Sequence, residues 1–177
     1  MDEQKIKTEL LEWVKSFLFA VPLALFITTF IVQPTTVHGE SMEPTLQDGN
    51  RLIVEKITYR FGKPERGDIV TLKSPIDSSK NYVKRVIGVE GDRVKILNGK
   101  VYINGKELKE KYVSGRTVGD MEEITVPKGY IYVMGDNRAP GASLDSRNPS
   151  IGPISLDRVI GRAVLRFYPV DKAVIFK

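Results

Sequence analysis

Two stretches of this 177-residue chain combine residue types that could do covalent chemistry: Ser41-Met42-Glu43-Pro44, and a lysine within the alternation Tyr82-Val83-Lys84-Arg85-Val86-Ile87. A serine hydroxyl is a weak nucleophile until a neighbouring base takes its proton. The chain has one histidine and no cysteine, which excludes thiol nucleophiles, disulfides and thiolate metal sites and argues against a zinc site built from imidazoles. The lone His38 lies three residues before Ser41, whereas a serine triad draws its base from an element facing the nucleophile. With histidine set aside, the remaining arrangement is a serine activated by a lysine.

Strand alternation puts Lys84 on one face with Tyr82 and Val86, and Arg85 on the other with Val83 and Ile87, so either choice of inward face buries the stem of a cation. Burial disfavours the ammonium form. An exposed lysine, with a pKa of about 10.4, is neutral in only roughly one molecule in a few thousand at pH 7, and lowering that value to about 7 to 8 costs on the order of 4 kcal/mol. Each residue also has a plainer reading. Ser41 before Glu43 and Pro44 suits a turn, and Lys84 suits an edge strand guarded against aggregation. Three further patterns accompany them: Gly67-Asp68-Ile69-Val70, Gly135-Asp136-Asn137-Arg138 and Ser143-Leu144-Asp145-Ser146-Arg147.

The elements that must position these residues divide at about residue 33. Residues 16–32 form a seventeen-residue run without a charge, which as a helix spans roughly 26 Å. Trp13 and Val14 extend it towards the roughly 30 Å of a hydrocarbon core, with Lys15 reaching outward. Pro22 inside the run is tolerated in membrane helices. A cleaved secretory signal is the competing reading, but Gln33-Pro34-Thr35-Thr36-Val37-His38 offers no small-x-small cleavage site. The expectation is therefore a cytoplasmic tail over 1–12 and a retained single-pass anchor over 13–33. Lys5, Lys7 and Lys15 precede the run and no basic residue follows it until Arg51, which puts the N-terminus inside and the rest outside the plasma membrane.

Beyond the anchor, short apolar runs cut by turn residues predict strands over 51–57, 68–73, 81–89, 93–97, 100–103, 124–126, 130–134 and 158–167, a mainly β, antiparallel sheet or partial barrel. Asn98-Gly99 and Asn104-Gly105 predict tight hairpin turns. Residues 91–129 read as a small β meander inserted into a domain made of 34–90 and 130–177. The 27 basic and 22 acidic residues give a net charge of +5, but they are interleaved, which argues for mild attraction to anionic lipid and against nucleic acid as a partner.

In this order, behind an apolar run, the patterns at 41–46, 67–70, 82–88 and 135–147 resemble the bacterial type I signal peptidases, in the compact form found in Gram-positive bacteria. The resemblance covers nearly the whole chain. It implies a membrane-anchored serine endopeptidase that removes signal peptides from exported preproteins, works beside the export machinery and needs no metal or organic cofactor. It implies Ser41 as nucleophile and Lys84 as general base. Ser143 then matches a hydroxyl that orients the amine, Asp145 and Arg147 a supporting ion pair, and Asp136 and Arg85 positions that hold the site together. The substrate is expected to lie extended, with small residues at the first and third positions before the cut. Four residues, 139–142, separate Arg138 from Ser143 where the family usually has two, and Gly39 stands where some relatives carry a serine that helps bind the oxyanion. The alternative from another class is a non-catalytic, membrane-tethered β module that binds extended peptides.

Overall fold

A computed structural model describes residues 3–176; Met1 and Asp2 of the expected tail, and Lys177, lie outside the described residues. Helix α1 runs from Glu3–Phe30 with Pro22 inside it, and the stretch Lys7–Phe30 is long and apolar enough to cross a membrane. Its large apolar side chains are exposed on all sides, Leu18 and Phe19 among them. The helix starts earlier and stops sooner than the sequence suggests. Val32 and Gln33, expected in the anchor, instead open strand β1, Val32–Thr36. Pro34 explains the switch, because it disfavours helix in the residue before it and has no N–H for the ladder. It is accommodated because β1 is an edge strand.

Ten further strands and a short helix carry most of the remaining fold. They are β2 (Arg51–Glu55), α2 (Thr58–Phe61), β3 (Ile69–Lys73), β4 (Asn81–Gly88), β5 (Arg93–Leu97), β6 (Lys100–Ile103), β7 (Lys106–Glu107), β8 (Met121–Thr125), β9 (Tyr130–Met134), β10 (Ile154–Ser155) and β11 (Val159–Tyr168). A last strand, β12 (Val174–Ile175), pairs with β11. The large antiparallel sheet has the order β1-β2-β11-β3-β4-β9-β10. Register shifts along β11 against β2 and β3, and between Val86 and Gly88 where β4 meets β9, supply local bends. The fold class is therefore the one expected, with β1 and the two-residue strands β7, β10 and β12 added.

The small sheet has the order β7-β6-β5-β8. Both of its Asn-Gly turns adopt the left-handed backbone, with φ of 51° and 75° at Asn98 and Gly99 and of 53° and 78° at Asn104 and Gly105. Its apolar face is not closed on itself. Val94, Ile96, Val101 and Ile103 share one buried cluster with Ile87 of β4 and with Tyr132 and Met134 of β9. The two sheets thus meet at the strands that carry the site.

Candidate active site

Ser41 sits in the loop between β1 and β2. Met42 and Leu46, 1% and 0% exposed, anchor that loop in the cluster formed with Val37, Leu52, Val54 and Ile69. The Glu43 N–H donates to the Glu40 carbonyl and the Leu46 N–H to the Met42 carbonyl, winding the loop tightly around Ser41. The Gly39 N–H donates to Asp48 Oδ1 at 2.7 Å and fixes the approach.

Lys84 lies in the middle of β4, opposite Val70 of β3, and is 4% exposed. Its Nζ is 2.7 Å from Ser41 Oγ and 5.3 Å from the centre of the Tyr82 ring. Burial lowers its pKa from 10.5 to about 8; Asp145 and Asp136 oppose the shift and Arg147 adds to it. A largely desolvated amine in hydrogen-bond contact with a hydroxyl can donate to it when charged and accept its proton when neutral.

Acid–arginine pairs surround these two residues. Arg85 donates from Nε to Asp136 Oδ1 at 2.9 Å and from Nη2 to Asp136 Oδ2 at 2.6 Å, and its Nη1 reaches the Gly67 carbonyl at 2.9 Å. Asp136 is wholly buried and also accepts from the Thr45 hydroxyl, which ties β4 to the Ser41 loop. Arg147 donates to both oxygens of Asp145 at 2.9 and 2.8 Å. Burial alone would raise the pKa of Asp145, but the bonds and charge of Arg147, the Gly135 N–H and Ser143 outweigh it and hold the carboxyl below its ordinary range. Ser143 Oγ is buried beside Asp145, and among the described residues no hydrogen bond joins it to Lys84.

Gly135 is where these parts converge. Its N–H donates to Asp145 Oδ2 at 3.0 Å, and a Cβ there would overlap the Ser41 carbonyl oxygen and the Ser143 side chain. Only glycine lets the strand end pass so close to the Ser41 loop. The structure thus brings together all seven residues singled out in the sequence, Ser41, Lys84, Arg85, Asp136, Ser143, Asp145 and Arg147. His38 is exposed on the rim, and no hydrogen bond joins it to Ser41.

Sequence reasoning missed several contributors. Asn137 grips the Ser41 loop twice, its N–H donating to the Ser41 carbonyl at 3.0 Å and its side-chain amide to the Glu40 carbonyl at 3.1 Å. Arg138 is fully buried and donates to the Gly135 carbonyl. Glu110, from the small sheet's side of the molecule, accepts from Arg138. Asn137 and Arg138 lie inside a pattern noted in the sequence, so their neighbours were a signal; nothing local marks Glu110.

A groove of about 520 Å³ runs beside Ser41, lined by residues 35–38 on one flank and 79–84 on the other. β9 pairs with β4 only from Arg85 onward, so residues 81–84 have no partner strand on that side among the described residues. β1 is likewise free along one edge. Among the described residues, no group of three or more His, Cys, Asp or Glu side chains is placed to hold a metal ion.

Residues 10–168 match the family described as signal peptidase, peptidase S26. The chain is 42% identical to signal peptidase I of Bacillus licheniformis, with 94% of this chain and 92% of that protein covered. It is 42% identical to signal peptidase I T of Bacillus subtilis (strain 168), covering 92% and 87%. Against signal peptidase IB of Staphylococcus aureus (strain Mu50 / ATCC 700699) the identity is 40%, covering 94% of each chain.

Proposed function

The chain belongs to the signal peptidase family, peptidase S26, and is a serine endopeptidase; from that premise we propose that it removes N-terminal signal peptides from exported preproteins by a Ser41–Lys84 dyad. The observation that carries the reading is the 2.7 Å contact between Ser41 Oγ and an amine 4% exposed, with no acid bonded to it among the described residues.

In the proposed cycle neutral Lys84 takes the Ser41 proton as Oγ attacks the scissile carbonyl. The resulting ammonium gives that proton to the departing amine, leaving an acyl-enzyme on Ser41. Lys84, neutral again, then deprotonates a water that attacks the ester, and the proton returns to Ser41 as the cleaved peptide leaves. The Ser41 N–H is one donor to the developing oxyanion. Ser143, Asp145 and Arg147 hold the lysine's surroundings in place, while Arg85 and Asp136 brace β4 against the Ser41 loop. An extended substrate adds as a strand in the groove between residues 35–38 and 81–84, where backbone groups on both flanks lack partner strands.

The helix Lys7–Phe30 anchors the protein in the plasma membrane with the N-terminus inside and the β domain outside, beside the export machinery. Two side chains of the domain, Lys56 and Arg60, meet the end of the helix. The Lys56 amine reaches the Thr28 and Thr29 carbonyls at the helix end at 3.2 Å, and the Arg60 guanidinium lies 5.0 Å from the Phe30 ring. Of the two aromatic residues near this junction, Tyr59 packs inward and bonds Asp68, whereas Phe61 is 90% exposed. Phe61 is the one suited to meet lipid.

Incubating the purified full chain with a preprotein, and sequencing the new N-terminus, tests the reading. Cleavage at the signal-peptide junction by the parent, and none by Ser41→Ala, is the expected result. A parent that binds the preprotein without cutting it would instead make the chain a peptide-binding module.

A further inference from the structure

The small sheet sends one segment back to the reaction centre. Residues 108–120, joining β7 to β8, are held at their base by the Thr117 N–H on the Gly99 carbonyl and by Asp120 Oδ1, which accepts from the Asn98 N–H at 2.9 Å. From there the segment reaches the 135–138 turn, where Ser114 pairs with Asn137 in an isolated parallel bridge and the Thr117 hydroxyl accepts from Arg138 at 2.7 Å. It also reaches β4, where the centre of the Tyr112 ring lies 3.9 Å from the Arg85 guanidinium.

Glu110 is the charged member of this contact. Its side chain is 8% exposed; it takes one Arg138 nitrogen at 3.0 Å and the other in a closer contact, and it accepts from the Tyr112 hydroxyl at 3.0 Å. Among the described residues it is the acid paired with Arg138, a guanidinium with no exposed surface. The opposite end of that guanidinium donates to the Gly135 carbonyl at 2.8 Å, and Gly135 and Asn137 are the residues that press on and bond to the Ser41 backbone. A buried guanidinium left without its acid rearranges or draws in water, and the turn it braces moves with it.

Resting on the peptidase reading above, we propose that Glu110 is a positioning residue for Ser41: through Arg138 it holds the 135–138 turn, and the turn holds the nucleophile loop at reacting distance from Lys84. The small sheet is then a brace for the active site. Misplacing a nucleophile by about 1 Å costs roughly a hundredfold in rate. The groove that takes the substrate is lined by residues 35–38 and 79–84 and includes nothing from this segment, so the effect falls on kcat and spares KM.

The test uses the full chain in detergent, with competent sites counted by covalent titration with an acylating peptide mimic and turnover expressed per titrated site. Glu110→Gln is expected to lower kcat per site by roughly 10- to 100-fold with KM changed by less than about twofold. The milder pair Tyr112→Phe and Thr117→Val, which removes one bond from each end of the Glu110–Arg138 contact, is expected to lower it by roughly threefold to tenfold. If Glu110→Gln does not fold, the milder pair decides. Fewer titrated sites at unchanged kcat per site would mean that Glu110 only stabilises the fold, and would overturn the proposal. A parent that neither cleaves nor is labelled would overturn the function it starts from, whereas an active, labelled parent with unaffected variants would overturn the positioning role alone.

Discussion

Lys84 and Arg85 are neighbours on β4, lie on opposite faces of it, and are both almost fully buried, at 4% and 9% exposure. Their surroundings differ in one respect. Arg85 is clasped by both oxygens of Asp136, by the Gly67 carbonyl and by the Tyr112 ring, so its charge is compensated at every point. Lys84 meets the Ser41 hydroxyl and the Tyr82 ring, and the acids that favour its charge, Asp145 and Asp136, act on it without bonding to it. Similar burial therefore goes with an acid-paired guanidinium on one face and, on the other, an amine whose pKa is lowered to about 8. A buried charge with its acid holds structure, while a buried amine without one is suited to the base's role proposed for Lys84.

Removing either member of the proposed dyad is the harshest way to test that contrast. Ser41→Ala and Lys84→Ala are each expected to lower preprotein cleavage by about 10⁴-fold or more, and the double variant to be hardly worse, because residues acting as a unit are not additive. Lys84→Arg is expected to be equally inactive, since a guanidinium stays protonated at any usable pH. Near-parental turnover by Lys84→Ala would erase the distinction between the two faces.

The Arg85 side breaks differently. Asp136→Asn leaves a buried guanidinium without its acid and is expected to cost about 3–5 kcal/mol of stability in denaturant unfolding. A loss below about 1 kcal/mol would show that the pair is not what compensates Arg85.

Stability should move the other way at Lys84. A pKa lowered from 10.5 to about 8 means that the folded protein binds the proton less tightly than the unfolded chain, a penalty of about 3 kcal/mol. It is fully present below pH 8 and is relieved as pH rises from about 8 towards 10.5, where the unfolded lysine also loses its proton. Lys84→Met, similar in volume and without charge, is therefore expected to be more stable than the parent at pH 7 by up to about 3 kcal/mol, with the gain shrinking above pH 8. A destabilised Lys84→Met at pH 7 would mean that the contact with Ser41 outweighs the cost of burial.

The smallest effect concerns the anchor. Deleting residues 1–30 spares β1 and both faces of β4, so cleavage of a short soluble peptide is expected to stay within about twofold. Cleavage of a membrane-embedded preprotein should slow by roughly tenfold or more, because the two are no longer confined to one surface. Equal rates on both substrates would remove the positioning role of the helix.

How much of this was legible depends on how local the signal is. Lys84 stands out because a period of two places a cation among apolar residues, whereas Ser41 taken alone suits a turn and is singled out by the resemblance of its surroundings to the signal peptidases. The Asn-Gly turns and the apolar run are local signals too, and both structures follow them. β1 was hidden because Pro34 argues against a strand until its edge position is known. Arg138 lies among turn-forming residues and Glu110 in a run of charges, Lys106 to Lys111, that reads as a solvated face. Their burial exists only because two distant segments meet, which no local pattern encodes.

The most direct test follows the Lys84 amine itself by heteronuclear NMR as pH is raised, in parallel with the pH dependence of kcat/KM for the same protein. The amine is expected to titrate near pH 8, and kcat/KM to rise about tenfold per pH unit below that point and level off above it, the two midpoints coinciding. An amine that titrates near its ordinary 10.5, or an activity midpoint set apart from its titration, would contradict a Ser41–Lys84 dyad.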